Sequence, residues 1–156
     1  ASSDMPMNDE IQQVNGVSKS TNKETRRLSN TLAEATKVMI KKNWKIIYIK
    51  AVPTGDKDAV RFYYKDNRGQ VYNGQVIRNT GLSKGKYMAG SLHQTEALQE
   101  LVNHLQQNDQ EVPSSIDIII TQEGYRIKTI FNYNEDTSNL PAYLQQYEQQ
   151  NFPSMK

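Results

Sequence analysis

Two stretches of this 156-residue chain alternate in side-chain character at every second residue on both sides of a tight turn. Period-two alternation of this kind is the signature of paired strands with one covered face. In the first stretch, "AVRFYYK" (59–65), Val60, Phe62 and Tyr64 alternate with Arg61, Tyr63 and Lys65. "QVYNGQVI" (70–77) follows after the turn "DNRG". Pairing Lys65 with Val71 leaves one extra residue in the turn, which Gly69 accommodates in the left-handed conformation of a bulged hairpin. That register sets Val60, Phe62 and Tyr64 beside Tyr72, Gly74 and Val76, and leaves Tyr63 as the outer aromatic next to Arg61 and Lys65. The second stretch, "SIDIIITQ" (115–122), turns at Glu123-Gly124 into "YRIKTIFNY" (125–133).

Helical spacing fills the intervals. Leu28, Leu32, Ala35 and Met39 recur at three and four residues behind a T-x-x-E capping box at Thr21 and Glu24, predicting a helix that ends near Asn43. "WKIIYIKAV" (44–52) stops at Pro53 and reads as a strand. Residues 78–90, with three glycines, are expected as a long loop, with Ser91 and Gln94 opening a second helix through Leu98, Leu101, Val102 and Leu105 to about Asn108. Asn139 caps a short last helix with Pro141 in its first turn, and Leu140, Tyr143, Leu144 and Tyr147 face inward. The expected order is α-β-β-β-α-β-β-α. It describes an α+β fold, an antiparallel sheet of about five strands with helices packed on one face. Residues 1–17, polar and aperiodic, are expected as a flexible tail ahead of one domain over 18–156.

Chemistry is sparse. The chain has no cysteine, which removes disulfides and thiolate sites. His93 and His104 sit roughly 16 Å apart along a helix, too far to share a metal. Asp56/Asp58 and Glu135/Asp136 are carboxylate pairs in turns, where acids serve the backbone. "GLSKGKYMAG" lacks the strand-to-helix setting of a phosphate loop. No catalytic, cofactor-binding or metal residue is therefore assigned, and no enzyme activity is expected. No stretch approaches the eighteen or so apolar residues of a membrane span, and no secretory leader is read at the start. A net charge of +2 is weak for a nucleic-acid binder, so nucleic acid is not the expected partner. The alternative is a small RNA-binding domain that uses the basic first helix and the 59–77 hairpin.

The segments taken in order resemble the YezG-like family, cytoplasmic antitoxin or immunity proteins paired with secreted polymorphic toxins of bacteria. The stretches that carry the resemblance are "NWKIIYIKAV" leading to "VRFYYKDNRGQVYNGQVI", the leucine-spaced helix, and "NDQEVPSSIDIIITQEGYRIKTIFNYNED". The likeness covers about residues 28–150. Two departures stand out: Ser114 follows Pro113 where the family usually has tryptophan, and the first helix is basic in a family that is often more acidic.

The resemblance implies a protein that binds and neutralises a cognate toxin, expected to be a nuclease, and that needs no catalytic residues. Residues 87–125 carry six acids and no Lys or Arg. An acidic surface gains association rate against a phosphate-binding cleft. Glu96, Glu100, Asp109, Glu111, Asp117 and Glu123 are the candidate partner-binding residues.

Overall fold

The computed structural model describes residues 10–14, 23–54 and 59–155. In chain order these form β1 (Glu10–Val14), α1 (Lys23–Lys37), β2 (Ile46–Val52), β3 (Ala59–Lys65), β4 (Val71–Asn73) and α2 (Ile77–Thr80). Then come α3 (Lys84–Gln107), β5 (Ser115–Thr121), β6 (Arg126–Asn132) and α4 (Leu140–Asn151). The strands make one six-stranded sheet in the order β1-β6-β5-β2-β3-β4. Both hairpins are antiparallel, and the first has the expected register, with Lys65 opposite Val71 and Tyr64 opposite Tyr72. Gly69 has φ +85° in its turn, where a left-handed residue is needed.

The α+β class holds, with three corrections to the expected architecture. The sheet has six strands, because residues 10–14 of the expected tail form β1. β1 runs parallel to β6, so the sheet is mixed and not purely antiparallel. Helices also cover both faces. α1 and α3 lie on the inner face, over Ile47, Ile49, Phe62, Ile116, Ile118 and Ile120, with Leu32, Leu98 and Leu101 fully buried between. Full burial of each such side chain is worth about 1.5–3 kcal/mol. α4 lies on the outer face, where Leu144 packs on Val52 and Ala59 and where Tyr63 meets Tyr147 and Phe152 at 5.8 and 4.8 Å between ring centroids. Tyr63, expected on an open face, is fully buried. The rest of the expected tail, Asp56/Asp58 and Thr21 of the capping box fall outside the described residues.

Boundaries move for identifiable reasons. α1 stops at Lys37, short of Asn43. β4 ends at Asn73 because the next pair keeps only half of its bonds. The Gly74 amide still donates to the Phe62 carbonyl (2.7 Å), but the Phe62 amide donates to Gln75 Oε1 (3.3 Å) and the Gly74 carbonyl accepts from the Tyr87 hydroxyl (2.8 Å). A Cβ at Gly74 would stand 2.3 Å from the Phe62 ring. The expected loop over 78–90 is largely helical: α2 covers Ile77–Thr80, and α3 begins at Lys84 behind Ser83, whose Oγ accepts from the Lys86 amide at 3.3 Å. Ser91 lies inside α3 and caps nothing. Gly90 marks a close approach and not a break, since a Cβ there would come within 2.8 Å of Met39 Cγ.

Candidate partner interface

α3 is the longest helix, 24 residues, and its inward side is fixed by Ala97, Leu98, Leu101 and Leu105 against the sheet. Beside it α1 runs antiparallel. Gln94 donates to Thr36 Oγ1 at 2.8 Å near one end, and Thr25 Oγ1 lies 2.9 Å from His104 Nε2 near the other. The outward side therefore has little freedom to move. Residues four apart in a helix stack into one ridge, and Met88, Leu92, Glu96 and Glu100 form such a row, all four exposed. Met88 and Leu92 are 59% and 57% exposed, two of the four large apolar side chains exposed among the described residues.

The structure treats the six predicted acids unequally. Glu96 and Glu100 share the ridge. Asp109, at φ +55°, and Glu111 follow past the end of α3, both exposed. Glu123 is exposed in the β5–β6 turn, at the far end of a strand that spans roughly 20 Å. Asp117 belongs to the other side of the sheet. Strand alternation turns it outward toward α4, where its Oδ1 lies 3.0 Å from Lys50 Nζ. Nor is the acidic ridge isolated in space. Arg27 of α1 is held above the usual guanidinium range by its hydrogen-bonded pair with Glu24, and Glu100 adds to that field from the neighbouring helix.

A cleft of about 680 Å³ opens on the outer face beside α4. Lys50 is almost fully buried there. Burial alone would lower its pKa, but the Asp117 carboxylate and the Tyr143 hydroxyl outweigh that and raise it, so Lys50 is a cation. Its Nζ donates to Ser115 Oγ (3.2 Å), and Ser115 donates to Glu135 Oε1 (2.5 Å). Asn132 Nδ2 donates to Ser115 Oγ and to Asp117 Oδ2, and the Tyr143 hydroxyl lies 3.0 Å from Ser115 Oγ and from both Glu135 oxygens. A serine beside a lysine suggests a nucleophile and its base. Here the lysine is held protonated and Ser115 is fully buried, so the group fastens α4 and the 133–139 loop to the sheet.

His93 is exposed on α3, while His104 is half-buried, with Nδ1 3.3 Å from Asn108 Nδ2. No group of three or more metal-ligating side chains occurs among the described residues, and no helix among them is long and apolar enough to cross a membrane. Sequence reasoning missed the apolar half of the ridge because it placed Met88 in a loop. The i+4 row 88-92-96-100 was the available signal.

The family model described as immunity protein YezG-like matches residues 25–153, from the first turn of α1 to just past the end of α4. No curated protein matches the chain.

Proposed function

The chain belongs to the YezG-like immunity proteins, and from that premise we propose that it binds a cognate secreted toxin, a nuclease, and neutralises it in the bacterial cytoplasm without chemistry of its own. The observation that carries this reading is the α3 ridge. It sets an exposed apolar pair, Met88 and Leu92, directly in line with an exposed acidic pair, Glu96 and Glu100. Apolar anchors surrounded by charge are what a specific interface needs: the anchors supply affinity, and the charges supply orientation and association rate. Nuclease clefts are cationic because they hold phosphate, so Glu96, Glu100, Asp109 and Glu111 face such a cleft with complementary sign. Glu123 lies apart from this surface, and Asp117 serves the internal pair.

Co-purification of the chain with the product of the adjacent reading frame tests the partnership. Titration calorimetry of the complex tests the surface. Leu92→Glu should weaken binding by about tenfold or more, through faster dissociation. Reversal of Glu96, Glu100, Asp109 and Glu111 to lysine should chiefly slow association and reduce its salt dependence. Arg126→Glu with Lys128→Glu, on β6, should leave binding unchanged. If the β6 variant binds poorly while the α3 variants bind normally, the ridge is not the docking surface.

A further inference from the structure

The hairpin turn after β3, the link after α1 and the short helix α2 border a second, open pocket of about 420 Å³ at the end of the sheet where β3 and β4 join. Each segment sends one cation to its wall: Lys42 from the link, Arg68 from the turn and Arg78 from α2. All three are exposed, and none forms a salt bridge among the described residues. The wall also holds an aromatic pair, Tyr64 and Tyr72, stacked at 5.1 Å with an interplanar angle of 20°. These rings are fixed in place. The Tyr64 hydroxyl donates to the Asn79 carbonyl at 2.6 Å and the Tyr72 hydroxyl to Asp66 Oδ2 at 3.0 Å. Asp66 is the one carboxylate on the wall, and its Oδ1 accepts from the amides of Arg68 (2.9 Å) and Gln70 (3.0 Å). Formal charge on the wall is thus three positive against one negative.

We propose that this pocket binds a nucleoside phosphate, with Arg68, Arg78 and Lys42 around the phosphate and the half-buried Tyr72 as the surface for the base. Guanidinium groups match phosphate oxygens as paired donors, and a fixed ring accepts any base by its π-face. Asp66 has acceptor capacity left for a ribose hydroxyl. The volume lies at the small end of the range for ligand pockets, which suits one nucleotide. The same chemistry is presented by a free nucleotide and by one residue of a nucleic-acid strand. The pocket shares no lining residue with the α3 ridge.

Calorimetry on the full chain at low salt decides the matter, with adenosine monophosphate, inorganic phosphate, a short single-stranded RNA and a short polyglutamate as probes. Adenosine monophosphate should bind at least about tenfold more tightly than phosphate alone, because only it uses the ring. Arg68→Glu with Arg78→Glu should weaken it by at least about tenfold, since like charge replaces the phosphate donors. Tyr72→Leu should weaken the nucleotide and leave phosphate unchanged. Lys84→Glu with Lys86→Glu, exposed cations at the start of α3, should have little effect. RNA binding no tighter than the mononucleotide assigns the site to free nucleotide; much tighter binding with a steep salt slope assigns it to a strand. Either result supports the pocket. The proposal fails if the nucleotide binds no better than phosphate, if the α3 control costs as much as the pocket variant, or if polyglutamate binds more tightly with the same sensitivity to Arg68 and Arg78.

Discussion

The two faces of the sheet are written in the same alternating pattern but are held to their helices by different means. Inner-face strand residues are mostly isoleucine, with Phe62 and Phe131, and they meet leucines of α1 and α3. Outer-face residues under α4 are Tyr48, Lys50, Tyr63, Ser115 and Asp117, and they meet Tyr143, Tyr147 and Phe152 through rings and hydrogen bonds. An aliphatic face gains stability from area and tolerates small shifts. A tyrosine-and-ion face requires each polar group to keep its partner, because a buried group left unpaired costs more than the bond gained.

The largest expected effect tests whether the outer face is as much a core as the inner one. Phe62→Ala and Tyr63→Ala remove neighbouring, fully buried rings from opposite faces. Each should cost about 3–5 kcal/mol in urea unfolding. Tyr63 also donates to Glu148 Oε2 of α4 at 2.7 Å, so its loss leaves that carboxylate without the hydroxyl. A Tyr63→Ala cost well below half that of Phe62→Ala would mean that α4 is a loose cover.

Next in size is the ion pair. Lys50→Met leaves Asp117 facing a buried methyl and should cost about 3 kcal/mol, the low end of the range for one broken partner, since the Asp117 side chain keeps 22% exposure. The double change Lys50→Met with Asp117→Leu should recover most of that loss. Unfolding midpoints of the single and double variants check this, and additive losses would show that the pair is not coupled.

Alkaline pH should loosen the outer face first. Tyr63 and Tyr147 are the phenols pushed furthest above their ordinary value of 10.0, both by burial first, with the Glu148 bond adding to Tyr63 and the Asp117 charge to Tyr147. Above about pH 10 the unfolded tyrosines lose protons that the folded ones keep, so stability falls as pH rises, by about 1.4 kcal/mol per unit for each group. Lys50 acts in the same direction: its folded pKa is raised, so its contribution is complete below the unfolded value and lost as pH climbs through the folded one. Melting temperatures between about pH 9 and 11 should drop less steeply in Tyr63→Phe than in the parent chain.

How legible each face was follows from the same difference. The inner face could be read because Val60, Phe62, Ile116, Ile118 and Ile120 are apolar at every second position, and the register of Lys65 with Val71 followed from turn length alone. On the outer face Tyr63 was read as an open-face aromatic and Lys50 drew no reading of its own, since period two says which residues share a face but not what covers it. A polar residue satisfied across 65 positions, as Lys50 is by Ser115, leaves no local trace. β1 was missed because five residues of "EIQQV" bury little themselves and pair only with the distant β6. On the α3 ridge the exposure of Glu96 and Glu100 was legible from helical spacing. The removal of Asp117 to the far face was not, because that depended on which side of the sheet α3 would take.

The smallest expected effect localises the comparison to α4 itself. Of the 12 residues of this helix only Leu144 is buried. A helix of that length is marginal alone and depends on its contacts. Its first turn is closed by Asn139, whose Oδ1 accepts from the Ala142 amide at 3.2 Å. Asn139→Ala removes that cap and should cost about 1 kcal/mol or less. The cost should appear as local opening and not as a global loss. Amide hydrogen exchange in α4 should quicken by about fivefold, following the cap energy, while α1, α3 and the central strands β2 and β5 stay near parent protection. Tyr63 and Tyr147 link the two behaviours, because they sit on either side of the boundary that opens. If exchange quickens equally in α3 and α4, the two covers unfold as one unit, and the outer face is a continuation of the inner core.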